Sequence, residues 1–262
     1  MLAGAGGLSV CGTAGGKSVA GPSAAADLSS EQKVVNWANW TLYLDYDDQT
    51  KKYPTLRRFV KESGISANYS EDIHSNDTYY GKVQAQLAAG KDIGQDIITP
   101  SDLMSERLTG QGHVQELDHA NIPNIKKLLP ELRDVRFDPG RTRSLTWQSG
   151  FTGIAWNKKA FPKSLKNMSD PWGPALTGRV TVLDDMRDTL PMMLPDDGID
   201  IRGHRREDEY GNSLDVLERN IKNGQIRQVK GNSYTQDFIS GDVMAGLVYS
   251  GDITQLNFEE GD

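Results

Sequence analysis

The sequence predicts an α/β fold arranged as two lobes. Two observations carry that expectation. Strand-like and helix-like segments alternate through the first hundred ordered residues and again after residue 150, the pattern of domains built on a largely parallel sheet. A chain of 262 residues also exceeds the usual single domain and can bury two moderate cores.

Taken in order, residues 12–30 are small and polar, with too few apolar side chains to offset the entropy of ordering. With the residues before them they form an expected tether, residues 1–30. A first lobe is expected over residues 31–143. It opens with a strand at Lys33 to Trp40. Tyr53, Leu56, Phe59 and Val60 then share one helical face, and Gly64 is placed to end that helix. Residues 65–69 alternate like a short strand. Ser75-Asn76-Asp77 offers capping side chains for a helix over Tyr79 to Ala89, closed by Gly90. Asp96 to Pro100 reads as a buried strand, and Ser101-Asp102 begins a helix that reaches Leu108.

A turn at Phe137 to Arg141 and an extended segment at Gly150 to Asn157 mark the crossing into a second lobe, residues 144–250. There the alternation repeats. Gly178 to Leu183 is an expected strand, Asp184 to Asp188 starts a helix, Ser213 to Asn223 is a helix ended by Gly224, and Val243 to Tyr249 is a buried strand. Ligands of such sheets sit beyond the carboxyl ends of the strands. That rule brings Trp40-Thr41, the Ser75-Asn76 turn and Ser101 to one rim.

Composition removes several function classes. The net charge of −7 argues against nucleic acid as a partner, because binding polyphosphate needs clustered cations. No segment approaches the uninterrupted apolar run of a spanning helix. His74, His113, His119 and His204 form no metal-ligand spacing, and no nucleophile elbow, phosphate-cradling loop or dinucleotide fingerprint is present. Neither a metal nor a cofactor is expected. The single cysteine, Cys11, excludes an intramolecular disulfide. It lies in Leu8-Ser9-Val10-Cys11-Gly12, where a bacterial lipoprotein signal places its lipid-modified cysteine. Val10 stands where Ala or Gly is usual, and residues 1–10 lack a basic start, so Met1 would lie inside a signal that begins further upstream. The alternative is a tail with an incidental cysteine.

Five ordered segments together resemble the spermidine/putrescine-binding proteins of bacterial ABC transporters. They are Asn39 to Tyr43, Asp96 to Ser101, Gly153 to Asn157, Leu183 to Asp188, and Ile239 to Val243 leading to Tyr249. The resemblance implies a periplasmic-binding-protein-like (type II) fold with a ligand cleft between its lobes. It also implies capture of a polyamine on the outer face of the cytoplasmic membrane and delivery to permease subunits, with the membrane touched only through a lipid anchor. Residue by residue it places Trp40, Thr41, Tyr43, Ser101, Asp185, Asp188 and Tyr249 in the cleft. Relatives more often carry Glu at the position of Asp188, often Trp at that of Tyr249, and an aromatic at that of Leu103. They also continue beyond the length seen here, so residues 251–262 are expected to start a return crossing to the first lobe.

A polyamine suits such a set: carboxylates meet its ammonium groups, and aromatic faces cover its methylenes and attract the charge. Simpler roles compete. Asp184, Asp185 and Asp188 at a helix start serve capping and the helix dipole equally well, and the residues alone favour that reading. The resemblance favours the cleft for Asp185 and Asp188. Ser101 fits a helix cap as well as a ligand contact, and Trp40 and Tyr43 fit a core, as Trp37 does. Two alternatives of function stay open: a binding protein of the same fold for another small solute, and a small-molecule hydrolase or transferase.

Overall fold

A computed structural model describes residues 24–194 and 207–261. Cys11 and most of the expected tether therefore lie outside the described residues. Residues 24–30 form neither helix nor strand, and the Gln115 side chain donates to the Ala25 carbonyl at 2.7 Å.

The first lobe is a three-stranded parallel sheet in the order β2-β1-β3, with β1 (Val34–Trp40) central between β2 (Ser66–Ile73) and β3 (Ile97–Ile98). Alternation along β1 sends Ala38 and Trp40 to one face. There they pack on Ile73, on Tyr79, Val83 and Leu87 of α2 (Asn76–Ala88), and on Met104 and Leu108 of α3 (Asp102–Gly110). The four-residue spacing on both helices is what one buried helical stripe requires. Ser75 caps α2 as expected, its hydroxyl accepting from the Thr78 amide. Helix α1 (Pro54–Ser63) is stopped by Gly64, whose φ of 71° suits glycine. Strand β2 runs four residues beyond the expected Tyr69. The extension is polar, Ser70-Glu71-Asp72, yet pairing with β1 continues until Ile73 lies opposite Trp40. The expected Asp96 to Pro100 strand shrinks to two residues.

On the opposite face of this sheet Trp37 is half-buried. Its ring meets Tyr69 edge-on at 5.3 Å and Trp147 at 4.8 Å, and its indole N–H donates to the Thr99 hydroxyl. The segment joining the lobes carries short turns and one helical turn, α4 (Pro130–Arg133). It is organised around Asp138, which is 2% exposed. Its carboxylate accepts from the backbone and hydroxyl of both Thr142 and Ser144 and from the Arg143 amide.

The second lobe holds a four-stranded sheet, β4-β7-β5-β6, formed by β4 (Thr152–Trp156), β5 (Val180–Leu183), β6 (Ile226–Lys230) and β7 (Ala245–Tyr249). Strand β5 is parallel to β6 and β7, whereas β4 runs antiparallel to β7, so this sheet is mixed. Around it lie α5 (Met186–Thr189), α6 (Glu207–Lys222), α7 (Thr235–Ser240) and α8 (Ser250–Glu260). Its core gathers Val182, Leu183, Tyr234, Phe238, Val243 and Leu247. Strand β6 and helices α7 and α8 carry no expectation from the sequence pattern. In β6 the inward side chains Gln228 and Lys230 are polar and both donate to Asp237, while Val229 is exposed, so the apolar alternation that announces a strand is missing. Most of residues 251–262, expected to start a return crossing, belong to α8 (Ser250–Glu260), whose Ile253 and Leu256 pack on the second-lobe core.

Candidate functional site

The carboxyl ends of strands from both lobes meet at one place. From the first lobe come Trp40 at the end of β1, Thr41 and Tyr43 after it, Asn76 after β2, and Ser101 after β3. From the second come Asp184, Asp185 and Asp188 after β5, Gly231 and Asn232 after β6, and Tyr249 and Asp252 at the end of β7. The chain turns sharply after β1. Leu42 takes a φ of 65°, unusual for a side chain of its kind, and this turn sets Tyr43 beside Trp40 with ring centroids 6.2 Å apart and planes tilted by 34°.

Asp185 spans the two lobes. Its Oδ1 accepts from the Arg187 amide at 3.0 Å and so caps α5. Its Oδ2 faces the other way and accepts from the Asn76 amide nitrogen at 3.2 Å and the Ser101 hydroxyl at 3.4 Å. Capping and contact between the lobes are thus served by different oxygens of one side chain. Ser101 sits at the N-cap position of α3, but its hydroxyl makes no cap and points to Asp185 instead. Its amide donates to the Asn76 side-chain oxygen at 2.9 Å, which orients that amide toward Asp185.

Behind the aromatic wall, Tyr234 is fully buried. It donates to Asp252 at 2.7 Å and accepts from the Tyr249 amide at 2.8 Å, so it locks the end of β7 to the start of α8. Trp40 is 6% exposed, and its indole N–H donates to the Thr99 carbonyl at 2.7 Å; of the residues expected in the cleft it is the most buried. Thr41, Tyr43, Ser101, Asp185, Asp188 and Tyr249 are half-buried. Leu103, at the position where relatives often place an aromatic, is 49% exposed.

Burial raises the carboxyl pKa of Asp184, of Asp188 and of Asp252 above the usual aspartate value; the charge of Asp185 adds to the rise at Asp184 and Asp188. Burial, then the negative charges of Asp252 and Asp188, pushes the Tyr43 hydroxyl up to about 12. Tyr249 is raised by burial and then by Asp188 and Asp185. Among the described residues no lysine or arginine forms an ion pair with Asp184, Asp185, Asp188 or Asp252. Charge thus links Asp184, Asp185 and Asp188 to one another and, through Tyr43, to Asp252; Arg187 offsets part of it at Asp188, and the negative field left over attracts a cation.

Sequence reasoning assigned no cleft role to Asp184, Asp252, Asn232 or Tyr234, and placed Asn76 at the rim only as part of a capping turn. Asp252 had one local signal, an acidic residue in the first turn after a buried strand, but it is visible only once α8 is known. Asn232 had none.

The family of bacterial extracellular solute-binding proteins matches over residues 55–262. The spermidine/putrescine-binding periplasmic protein of Escherichia coli K12 is 27% identical over 231 residues, covering 85% of this chain and 60% of that protein. Spermidine/putrescine-binding periplasmic protein 1 of Haemophilus influenzae is 28% identical over 223 residues, covering 84% and 60%. This chain thus spans about 60% of the length of these relatives. A solved structure of a putative spermidine/putrescine ABC transporter from Listeria monocytogenes superposes with a TM-score of 0.74 at 23% identity, covering 88% of this chain and 67% of that one. The two lobes have the fold of type II periplasmic binding proteins.

Proposed function

Since the chain belongs to the bacterial extracellular solute-binding proteins, we propose that it captures a polyamine, spermidine or putrescine, between its lobes and hands it to the permease of an ABC importer. The observation that carries this reading is the cluster of Asp184, Asp185, Asp188 and Asp252, half-buried and lacking a lysine or arginine ion pair among the described residues, beside the rings of Tyr43 and Tyr249. Burying carboxylates is costly unless a cation meets them. A diammonium chain supplies cations at its ends and methylenes for the aromatic walls. Capture and release need no covalent step, so the protein acts as a binding component and not as an enzyme. The site of action is extracytoplasmic, and Cys11, outside the described residues, is the proposed point of lipid attachment.

Isothermal titration of the chain against spermidine, putrescine, amino acids and sugars tests the ligand class. Saturable heat with the polyamines alone is the expected result. Saturation by an amino acid or a sugar, with none by a polyamine, rejects it.

A further inference from the structure

Gly231 and Asn232 join the lobes without contributing a charge. They form the turn that follows β6 in the second lobe. Facing them is the chain that leaves β1 and β2 in the first. The Asn232 side-chain amide, 8% exposed, donates to the Thr41 carbonyl at 3.0 Å. Gly231 lies against the His74 carbonyl so closely that a Cβ added at position 231 would fall deep inside the contact distance of that oxygen. The obstacle is backbone, so no change of rotamer relieves it. Gly231 has a φ of −69° and a ψ of −143°, a ψ outside the ranges that side chains favour. The glycine therefore answers both to its own backbone conformation, which is not a left-handed turn, and to the approach of two backbones from different lobes.

We infer that Gly231 and Asn232 are positioning residues that set how far the two lobes close: the bare backbone at Gly231 defines the stop against His74, and the Asn232 amide ties the lobes at Thr41. The inference rests on reading the chain as a cleft-binding protein, but not on the identity of its ligand. Neither residue belongs to the acidic cluster, and each acts on binding through the population of the closed form; because a Cβ at 231 would also stand 3.8 Å from Asp184 Oδ1, scattering, which reads closure directly, and not affinity alone decides the matter. Apparent affinity falls in proportion to the competent fraction.

Gly231→Ala in the full chain tests this with three measurements: radius of gyration by small-angle X-ray scattering, thermal midpoint, and spermidine affinity. Propping the lobes apart should enlarge the radius of gyration, leave the midpoint of the protein without spermidine unchanged, and weaken spermidine binding about tenfold or more, as expected when the closed fraction drops by that factor. A purely local structural role for Gly231 would lower the midpoint and leave the scattering of the folded protein unchanged, and that result overturns the inference. Should Gly231→Ala fail to fold, Asn232→Asp serves in its place: it keeps the shape but sets a carboxylate against the Thr41 carbonyl, and the same expansion is expected. If the native protein gives no heat with spermidine, the polyamine reading falls. The closure inference is then decided by scattering alone, and superimposable curves for native and variant proteins overturn it.

Discussion

The two carboxylate oxygens of Asp185 have separate partners, and a single substitution tells them apart. Asparagine caps a helix about as well as aspartate, so Asp185→Asn keeps the bond to the Arg187 amide and removes the charge that faces Asn76 and Ser101. The asparagine NH2 then faces the Asn76 donor, so that one bond is lost while the Ser101 hydroxyl can turn to accept, and stability should fall by only about 1 kcal/mol. Spermidine affinity should fall by roughly 1.5–3 kcal/mol, the worth of one charge-assisted contact, or about tenfold to a hundredfold. Unchanged affinity in calorimetry would remove Asp185 from the ligand site. At Leu42, which is 57% exposed, the left-handed backbone costs about 1–2 kcal/mol for most side chains and less for asparagine. Leu42→Asn should therefore stabilise the protein by up to about 1 kcal/mol in urea unfolding, since it relieves strain without opening a core.

Among the elements, the connection around residues 138–144 is held by two buried polar side chains, Asp138 and Arg141, the latter donating to the Leu132 carbonyl and to the Ser144 and Thr146 hydroxyls. Asp138→Ala would leave the amides and hydroxyls of Thr142 and Ser144, and the Arg143 amide, without their acceptor. Unsatisfied buried donors cost about 1–3 kcal/mol each; here Thr142 is exposed and Arg143 and Ser144 half-buried, so water replaces part of the carboxylate and a loss of about 3 kcal/mol in total is expected in denaturant unfolding. A loss below about 1 kcal/mol would show that solvent replaces the carboxylate freely. Strand β6 makes the complementary point: it is held by pairing to β5 and by Gln228 and Lys230 reaching Asp237, not by an apolar stripe.

Across the whole molecule, acid acts on two sets of aspartates with opposite sign. Burial pushes Asp138 up, but hydrogen bonds from Ser144, Thr142 and Arg143 outweigh it and hold its pKa below the usual 3.8. Its contribution to stability is present above the unfolded pKa and is lost as pH falls through the lower folded value. Asp184, Asp188 and Asp252 are raised, so the folded protein binds protons on them more readily than the unfolded chain, and their cost to stability is relieved as pH falls through the raised values. A cationic ligand needs those same groups ionised. Spermidine affinity should therefore weaken on acidification at a pH above that of an ordinary aspartate, while the ligand-free protein does not melt earlier over the same interval. Calorimetry and melting curves from neutral to mildly acidic pH check both arms. Affinity that stays flat until the protein unfolds would take the raised aspartates out of the site.

Apart from Asp185, Tyr43 and Tyr249, which enter only through the resemblance to a known family, the sequence pattern alone yields the α/β class, the two lobes, β1, the stop of α1 at Gly64, the cap of α2 at Ser75, and a rim shared by Thr41, Asn76 and Ser101. These are legible because periodicity, caps and turn chemistry act within a few residues of one another. The antiparallel pairing of β4 with β7, the formation of β6, α7 and α8, and the parts of the site that depend on partners far along the chain come from long-range packing. Asn76 and Asp185 are 109 residues apart, and Thr41 and Asn232 are 191 apart. Nothing in the local pattern around Gly231 marks it as the point where two lobes touch. That role arises from the packing of one sheet end against another, and a pairing of this kind is written in no single stretch of sequence.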